Sequence, residues 1–306
     1  MGGQFELLTY CSNENLWTKI EEVLLDAEKE VARVESLLTD FKESEFNQIN
    51  EFAGLRPVKV CREIIDVIKK AIDISIKSNG VFDISYASLG HAWRIAKADG
   101  RVLSNTERLE LLNYINYRDI ILNESESTVF LPHRKMKIGL GGIGKGYAVD
   151  QVYDLLIERG LQNFFINGAG DIRVHSAKDS PRPWRVGIKN PFSKDLDKTV
   201  GYLKLKEGSV ASSGGYIKNN SEINFPNDHH IVNPKDGHSS SEIIASTVYS
   251  STALESDTTA TLLMNLNVPQ ALEYLNHNKV YGFVIDNQGK THLSNRAFEN
   301  FAQLSF

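Results

Sequence analysis

An acid and a hydroxyl spaced four residues apart, Asp257 and Thr261, are the first candidates for chemistry in this sequence. On a helix, residues four positions apart lie on the same face, one turn from each other. A carboxylate and a hydroxyl placed in this way can bind a hard cation such as Mg²⁺, which prefers oxygen ligands and keeps phosphates and waters in its coordination shell. The alternative is a structural role for Asp257 as the N-cap of its helix.

A glycine-rich segment near the middle of the chain is the second candidate. Its apolar alternation predicts a strand over 136–140, and the spacing of apolar residues predicts a helix over 147–157. Between them, five glycines fall within residues 139–146. Glycines let a backbone approach a ligand closely, and the free N–H groups at the start of a helix favour phosphate. We therefore expect a phosphate-bearing ligand, with close packing of strand against helix as the alternative.

Two familiar phosphate-binding patterns overlap in this segment, and neither is complete. Residues 139–144 satisfy G-x-G-x-x-G, but Asn167 replaces the acid that a dinucleotide site needs after the next strand. Residues 139–145 satisfy G-x-x-x-x-G-K, but Gly146 stands where a P-loop has the hydroxyl that binds magnesium. The sequence therefore disfavours both a dinucleotide oxidoreductase and a nucleoside triphosphatase.

Four further polar residues are single candidates. His230 lies at a predicted strand edge, and a neutral imidazole can take a proton from an attacking hydroxyl near neutral pH. Asp83 and Asp171, the latter after a second glycine turn, either face a ligand or satisfy N–H groups of their own turns. Ser213 lies in a Ser-Ser-Gly-Gly run that does not match the nucleophile elbow G-x-S-x-G. For each of them a structural role is the alternative.

Composition excludes several classes of function. With 306 residues the chain can bury a large core. A net charge of −5 with mixed signs gives no basic stripe, so nucleic acid is not an expected partner. No apolar run approaches the roughly 18 residues of a membrane span, and two cysteines, Cys11 and Cys61, exclude a disulfide framework and a cysteine zinc site. We expect a soluble chain; a leader removed before Met1 would not be visible.

The predicted elements are those of an α+β protein. Long amphipathic helices are expected over 16–38 and 62–78, and Ser104 with Glu107 forms a capping box for another helix. Strands cluster in the second half of the chain. We find no internal repeat and no linker that would mark a boundary. The expected architecture is a single domain over residues 1–306, with mixed sheets and flanking helices and with room for two lobes.

Seven stretches of the sequence, taken in order, resemble the ApbE family, the FAD:protein FMN transferases. They are residues 78–85 followed by Trp93, GLGGIGKGYAVD at 139–150, NGAGDI at 167–172, WRVGIKNP at 184–191, SVASSGGY at 209–216, HIVNPKDG at 230–237 and SDTTAT at 256–261. Together they span almost the whole chain, so the resemblance is far more specific than any single glycine pattern.

The resemblance implies an ApbE-like α+β fold with FAD in a cleft between two lobes and magnesium on the diphosphate. The implied reaction transfers the FMN half of FAD to a serine or threonine hydroxyl of another protein and releases AMP. By position, Asp257, Thr261 and the backbone carbonyl of Gly144 would be magnesium ligands, and His230 the candidate base. The residues placed around the flavin or its phosphates are Asp83, Gly141, Gly142, Lys145, Asn167, Asp171 and Ser213. An FAD pyrophosphatase and a non-catalytic FAD-binding or delivery protein are the alternatives.

The resemblance also implies an acceptor protein from a membrane redox or respiratory complex. The expected location is the periplasm or the inner membrane, with attachment through a leader that this sequence does not contain, and the cytoplasm is left open. The sequence differs at three places from the residues that are usual in the family. Gly139 and Asn233 stand where aspartates are common, and Thr39-Asp40-Phe41 replaces Ser-Thr-Tyr. The first two changes remove negative charge near the expected site, which can lower metal affinity or rate, and the third alters the contacts expected on the adenine side.

Overall fold

Helices predominate in the first part of the chain and strands cluster in the second half, as the apolar spacing predicts. The computed structural model describes residues 3–11, 13–180, 182–193, 195, 198–214, 231–238 and 242–295. The helices in these residues are α1 (Trp17–Leu38), α2 (Glu45–Glu51), α3 (Arg62–Lys77), α4 (Ala87–Ala98), α5 (Asn105–Leu112), α6 (Gly144–Glu158), α7 (Ala253–Leu263) and α8 (Val268–His277). None of these described helices is both long enough and apolar enough to cross a membrane.

The strands form three sheets. They are β1 (Phe5–Thr9), β2 (Val58–Lys59), β3 (Ile121–Asn123), β4 (Thr128–Phe130), β5 (Phe164–Gly168), β6 (Asp171–His175), β7 (Trp184–Lys189), β8 (Thr199–Leu205), β9 (Glu207–Gly214), β10 (Ile243–Ser250), β11 (Tyr281–Asp286) and β12 (Thr291–Leu293). Seven strands pair in the order β1-β5-β6-β9-β10-β11-β12, three in the order β2-β4-β3, and β7 pairs with β8. All of these pairings are antiparallel.

The chain divides into two compact units, each assembled from separate stretches of sequence. The sheet unit comprises Met1–Val34, Ile143–Asn227 and Ser241–Phe306. The helical unit comprises Glu35–Gly142 and Asp228–Ser240. The glycine-rich segment therefore contributes its first part, up to Gly142, to the helical unit and its second part to the sheet unit. The assignment of a single domain stays a prediction.

The sheet unit buries both faces of the seven-stranded sheet. Phe164 and Phe165 are neighbours in β5 and therefore point to opposite faces. Phe164 packs in a cluster with Val23 of α1 and Val152 of α6. Phe165 packs against a second cluster that includes Val186 of the β7-β8 ribbon. Helices α1, α6 and α7 thus contribute to the cluster on one face of the sheet, and the ribbon packs on the other.

The helical unit has a core of its own around α2, α3 and the three-stranded sheet. Phe46, Ile64 and Leu131 in this unit have no exposed surface. The capping box predicted for α5 is confirmed. The hydroxyl of Ser104 accepts from the N–H of Glu107, and the Glu107 carboxylate accepts from the N–H of Ser104 at 2.8 Å. Strands β3 and β4 form an antiparallel hairpin in the same unit.

The prediction of a strand over 136–140 is wrong. This segment runs without a neighbouring strand, although Met136 and Ile138 are fully buried as their alternation suggests. The side-chain amide of Asn50 donates to the carbonyl of Ile138 at 2.9 Å and accepts from its N–H at 2.7 Å. A buried amide can satisfy a donor and an acceptor together, so it replaces the missing strand here. Apolar alternation reports burial and carries no information on which group pairs with the backbone.

Helix α7 begins earlier than the sequence suggested. Its N-cap is Thr252, whose hydroxyl accepts from the N–H of Glu255 at 3.3 Å. Asp257 therefore lies in the second turn of the helix, and the alternative in which it caps the helix is wrong. The buried carboxylate of Asp257 needs partners elsewhere in the sheet unit.

Candidate functional site

The first turn of α6 presents backbone N–H groups that receive no capping bond from its own N-cap residue, Ile143. The N–H of Gly146 instead donates to Oδ2 of Asp257 on α7, at 3.0 Å. An acid at the start of a helix is favoured because the unpaired N–H groups there carry partial positive charge. Asp257, only 2% exposed, is therefore bound to the glycine-rich segment.

The start of α7 is held by α6 in return. Asp150, one turn after Gly146, accepts from the N–H groups of Ala253 at 2.7 Å and Leu254 at 2.9 Å, one at each carboxylate oxygen. Arg173 donates to the same carboxylate at 2.6 Å. Gly146 permits the close approach, since a Cβ at that position would lie 2.4 Å from the carbonyl oxygen of Ala253. The two helix starts are thus joined by two acids, one from each helix.

Lys145 lies between two buried carboxylates. Its ammonium is 2.5 Å from Oδ2 of Asp171 and 2.9 Å from Oδ1 of Asp257. The two acidic side chains are 3% and 2% exposed, and the lysine side chain is 30% exposed. The cluster therefore contains one more acid than base in a place from which water is largely excluded. Such an excess of buried negative charge is costly unless another cation binds or an acid takes up a proton.

The pKa shifts in this cluster follow from the imbalance. Burial raises the pKa of Asp171 well above its ordinary value, and the charge of Asp257 raises it further against the opposing effect of Lys145. Burial lowers the pKa of Lys145, but the charges of Asp257 and Asp171 outweigh burial and raise this pKa above its ordinary value. Lys145 therefore keeps its proton at neutral pH, while Asp171 binds a proton more readily than an exposed aspartate does.

Asp171 reaches Lys145 because another side chain closes its turn. Ala169 and Gly170 connect β5 to β6, both with positive φ, at 57° and 102°. Oδ1 of Asn167 accepts from the N–H of Gly170 at 2.8 Å. The sequence left open whether Asp171 faces a ligand or accepts hydrogen bonds from its own turn. In the structure Asn167 accepts the hydrogen bond of the turn, and the Asp171 carboxylate contacts Lys145 instead. Contacts of these residues with a flavin stay predictions.

Thr261 lies one turn beyond Asp257 on α7, as the spacing predicts. Its hydroxyl is 3.4 Å from Oγ of Ser213 on β9, which is a long hydrogen bond. Gly144 is the first residue of α6, where a carbonyl points along the helix toward the N–H four residues later. The structure therefore brings Thr261 and Ser213 together beside Asp257, and the metal role of Gly144 stays a prediction.

The oxygen atoms around Asp257 suit a hard cation. In the described part of the chain, no three His, Cys, Asp or Glu side chains form a group able to hold a metal ion. A magnesium ion would therefore combine the Asp257 carboxylate and the Thr261 hydroxyl with oxygens from backbone, water or a phosphate ligand, which is the kind of coordination that Mg²⁺ favours. The excess negative charge of the cluster adds to this preference. The residues present fit magnesium on a phosphate-bearing ligand.

The helical unit contains the other described candidates. Asp83, 5% exposed, accepts from the N–H and hydroxyl of Ser85 at 2.8 and 2.6 Å and from the N–H of Tyr117 at 2.9 Å. Burial raises its pKa, against these hydrogen bonds. Its carboxylate is thus engaged in holding its own turn, and a flavin contact stays a prediction. Gly141 and Gly142 lie in the turn that precedes α6 in the chain.

His230 lies outside the described residues, so its role as a base stays a prediction. Residues 231–232 do not form the expected strand, but the turn that follows them is present. Oδ1 of Asn233 accepts from the N–H of Lys235 at 2.9 Å. An aspartate would accept the same bond, so the amide at this position preserves the turn while removing a charge.

Sequence reasoning missed Asp150 and its partner Arg173. The signal that indicates Asp150 is an acid within the apolar stretch 147–153 of a core-facing helix, where a charged residue is retained when it is paired. No spacing rule connects it with Arg173 or with Ala253, because these lie 23 and 103 residues away in sequence. Only the packing of α6 against α7 brings them together.

Comparison with known proteins agrees with this architecture and with the motifs. The chain matches the model of the ApbE family over residues 1–284. The FAD:protein FMN transferase of Klebsiella pneumoniae is 31% identical over 274 residues, which cover 88% of this chain and 81% of that protein. A FAD:protein FMN transferase of Haemophilus influenzae is 24% identical over 300 residues, covering 96% and 85%.

Solved structures share the fold. The ApbE protein of Thermotoga maritima superposes with a TM-score of 0.83 at 23% identity, covering 98% of this chain and 100% of that chain. The flavin transferase ApbE of Vibrio cholerae gives a TM-score of 0.81 at 20% identity, covering 98% and 96%. The fold is therefore the ApbE-like α+β fold that the motifs predicted. The chain belongs to the ApbE family, and the prediction that it is an enzyme, a transferase, is confirmed.

Proposed function

We propose that this chain transfers the FMN half of FAD to a serine or threonine hydroxyl of an acceptor protein, in a magnesium-dependent reaction that releases AMP. The observation that carries the proposal is the position of Lys145 between Asp171 and Asp257 at the start of α6. A helix start with an ammonium beside it attracts phosphate, and an excess of buried carboxylate attracts a divalent cation. A diphosphate with bound magnesium would supply both the phosphate and the divalent cation. The names of the relatives support the same reaction.

The residues proposed to hold the magnesium ion are Asp257 and Thr261, with the backbone carbonyl that the resemblance assigns to Gly144. Magnesium at this place would neutralise the charge that builds up on the bridging and leaving oxygens. Lys145 would orient a phosphate oxygen as a point charge, since its side chain is 30% exposed. Asp171 would fix the direction of that ammonium through the 2.5 Å bond.

The transfer forms one bond and breaks one. The acceptor hydroxyl oxygen bonds to the phosphorus of the FMN half, and the bond between that phosphorus and the oxygen bridging to AMP breaks. The bridging oxygen leaves with AMP. In this proposal the hydroxyl proton passes to His230, because an imidazole can accept a proton near neutral pH. Water in place of the hydroxyl would yield FMN and AMP, which is the pyrophosphatase alternative.

The assay that tests the proposal incubates the protein with FAD, Mg²⁺ and a candidate flavin-acceptor domain, and follows the mass of the acceptor and the nucleotides released. We expect a covalent FMN adduct on the acceptor, AMP in equal amount, and neither product when a chelator removes the metal. AMP and free FMN without an adduct would favour the pyrophosphatase. Intact FAD throughout would favour a binding or delivery protein.

We further propose that the acceptor belongs to a membrane redox or respiratory complex and that the protein works where such an acceptor is exposed. The matched control in the same assay is the acceptor domain with its target hydroxyl residue replaced by alanine. A second control is an unrelated protein with exposed serines and threonines. Equal flavinylation of the acceptor domain, its alanine variant and the unrelated protein would reject the proposal of a specific acceptor site.

A further inference from the structure

Each of the three N–H groups in the first turn of α7 has an acceptor. Oδ1 and Oδ2 of Asp150, on α6, accept from the N–H groups of Ala253 and Leu254 at 2.7 and 2.9 Å. The hydroxyl of Thr252 accepts from the N–H of Glu255 at 3.3 Å. Such N–H groups find no carbonyl partner within a helix, since the residues that would supply it lie before the helix start. Asp150 therefore fixes the first turn of α7 against α6 at two points.

Asp257 lies in the next turn of α7, and its position depends on that of the first turn. It is four residues after Ala253, so the two residues lie on the same face of the helix, about 6 Å apart along its axis. Helical side chains point toward the N-terminus, so the Asp257 carboxylate lies over the turn that Asp150 holds. There its Oδ2 accepts from the N–H of Gly146 at 3.0 Å. A shift of the first turn would therefore move this carboxylate as well.

The contacts between α6 and α7 form a closed ring. Gly146 and Asp150 are four residues apart on α6, and the same spacing separates Ala253 from Asp257 on α7. Each acid binds an N–H group of the other helix, so one turn of α6 and one turn of α7 are joined at both ends. A Cβ at Gly146 would lie 2.4 Å from the carbonyl oxygen of Ala253, so the helices are too close for a side chain there. In such a ring the position of one acid determines that of the other.

Arg173 of β6 fixes the direction of the Asp150 carboxylate. Its guanidinium donates to Oδ1 of Asp150 at 2.6 Å, and both side chains are only 12% exposed. The guanidinium also stacks on the ring of Tyr153, 3.5 Å from the ring centroid. Asp171, which contacts Lys145, lies two residues before Arg173 and therefore on the same face of the strand. Strand β6 thus supplies a partner both to Lys145 and to Asp150.

We infer that Asp150, held by Arg173, is a positioning residue that places the Asp257 carboxylate and thereby sets the affinity of the proposed site for a divalent cation. Asp150 does not touch the cation, because it acts through the first turn of α7. The inference rests on the proposed function, in which Asp257 binds magnesium. It extends that function to a carboxylate whose two oxygens already accept from N–H groups and a guanidinium. A purely structural role would lower stability and leave the metal affinity of the folded protein unchanged.

The experiment titrates Mn²⁺, as a substitute for Mg²⁺, into the complex of each protein with FAD and measures the free ion by electron paramagnetic resonance. The temperature is one at which the variants are folded. Asp150→Asn keeps the shape of the side chain but turns an amide N–H toward groups that need an acceptor, so we expect Mn²⁺ to bind about tenfold more weakly. Arg173→Met leaves both N–H contacts of Asp150 in place, and we expect binding about threefold weaker.

Two controls separate positioning from a general loss of stability. Asp154→Asn removes an exposed carboxylate one turn later on α6 and should leave the affinity for Mn²⁺ unchanged. Val186→Ala opens a cavity in the cluster on the other face of the sheet, so it should lower the unfolding midpoint without changing this affinity. Weaker binding of Mn²⁺ by Asp150→Asn, with unchanged binding by both controls, supports the inference.

Unchanged affinity for Mn²⁺ in folded Asp150→Asn overturns the inference, and so does an equal loss in Val186→Ala. If Asp150→Asn does not fold, Arg173→Met decides in its place, and unchanged affinity in that variant overturns the inference. If the natural chain binds FAD and Mn²⁺ but transfers nothing, the proposed transfer fails while the titration still decides the inference. If the complex of the natural chain with FAD binds no Mn²⁺, the proposed metal site fails and the positioning role of Asp150 fails with it.

Discussion

Two acidic clusters differ in their charge balance, one in each unit of the chain. In the sheet unit, Asp171 and Asp257 share a single base, Lys145. In the helical unit, one acid, Asp40, has two basic partners on α4. Burial raises the pKa of Asp171 and that of Asp40, but the partners outweigh burial only at Asp40, so the two carboxyl groups shift in opposite directions.

This difference in charge balance distinguishes a buried acid with a structural role from one with a proposed role in ligand binding. A buried acid whose charge is matched by its neighbours is stabilised in the folded protein by those neighbours alone. A buried acid in excess is costly, and a protein retains such a group where a cation or a reacting group completes the site. The difference in charge balance supports the proposed ligand binding at the cluster of the sheet unit, whereas the contacts of Asp40 with His91 and Arg94 are those of a structural ion pair.

The largest expected effect comes from Asp257→Asn. This change keeps the shape of the side chain but removes the charge proposed to hold magnesium, so transfer activity should fall by about a thousandfold or more, given the several kcal/mol that a metal contributes. The measurement is the rate of FMN adduct formation at saturating FAD. The control is Glu255→Gln, which removes an exposed carboxylate from the same helix and should leave the rate almost unchanged. Full activity in Asp257→Asn would reject the metal assignment.

Lys145→Met tests the charge balance directly. Removing the ammonium leaves two carboxylates buried together, so the free energy of unfolding should fall by about 2–3 kcal/mol, toward the lower end for a broken buried pair because Lys145 is partly exposed. Excess Mg²⁺ should restore part of this loss, and it should do nothing for Asp40→Asn. Lys29→Met, at a lysine that is 77% exposed, serves as the control and should change stability little. The absence of any magnesium effect on Lys145→Met would contradict the proposed site.

Asp83 extends the comparison to a buried acid held mainly by neutral donors. Asp83→Asn presents an amide N–H to donors that need an acceptor, so we expect the free energy of unfolding to fall by about 1–2 kcal/mol. The measurement is denaturant unfolding, paired with FAD affinity under conditions where the variant is folded. Unchanged FAD affinity would assign Asp83 to structure alone. A loss of affinity in the folded variant would support the flavin contact that the resemblance implies.

Asp83, Asp171 and Asp257 also show what the sequence can and cannot establish. All three are single acids near turns or helix starts, and nothing local distinguishes them. The family resemblance placed all three around FAD and its magnesium ion, and it is the structure that joins Asp171 and Asp257 through Lys145. Hydrogen-bond partners such as Gly146 for Asp257 depend on helix packing across 111 residues of sequence, which spacing cannot reveal.

Sequence patterns predicted those features correctly whose interactions join residues close together in the sequence. The capping box at Ser104 and Glu107 was predicted correctly, because its partners are three residues apart. The strand over 136–140 failed because its backbone is paired by Asn50, 88 residues away from Ile138 in sequence. The α+β class followed from periodicity, but the position of each acid relative to its base required the structure.

The smallest expected effect is the pH dependence of Asp40→Asn. Since the folded-state pKa of Asp40 lies below its ordinary value of 3.8, the folded protein binds this proton less tightly than the unfolded chain does. The stability that the charge contributes is therefore fully present above the unfolded pKa and is lost as the pH falls through the folded one. Tyr86, His91 and Arg94 are the titratable or charged groups that face it.

Asp40→Asn should thus be less stable than the natural chain by about 1 kcal/mol at neutral pH, a modest value for a partly exposed ion pair, and the difference should shrink toward zero below about pH 4. Denaturant unfolding of both proteins across this pH range provides the measurement. Asp99→Asn, at an exposed residue just after α4, should differ little from the natural chain throughout. A stability difference for Asp40→Asn that grows as the pH falls would mean that Asp40 is not balanced by its partners, and the contrast between the two clusters would then be lost.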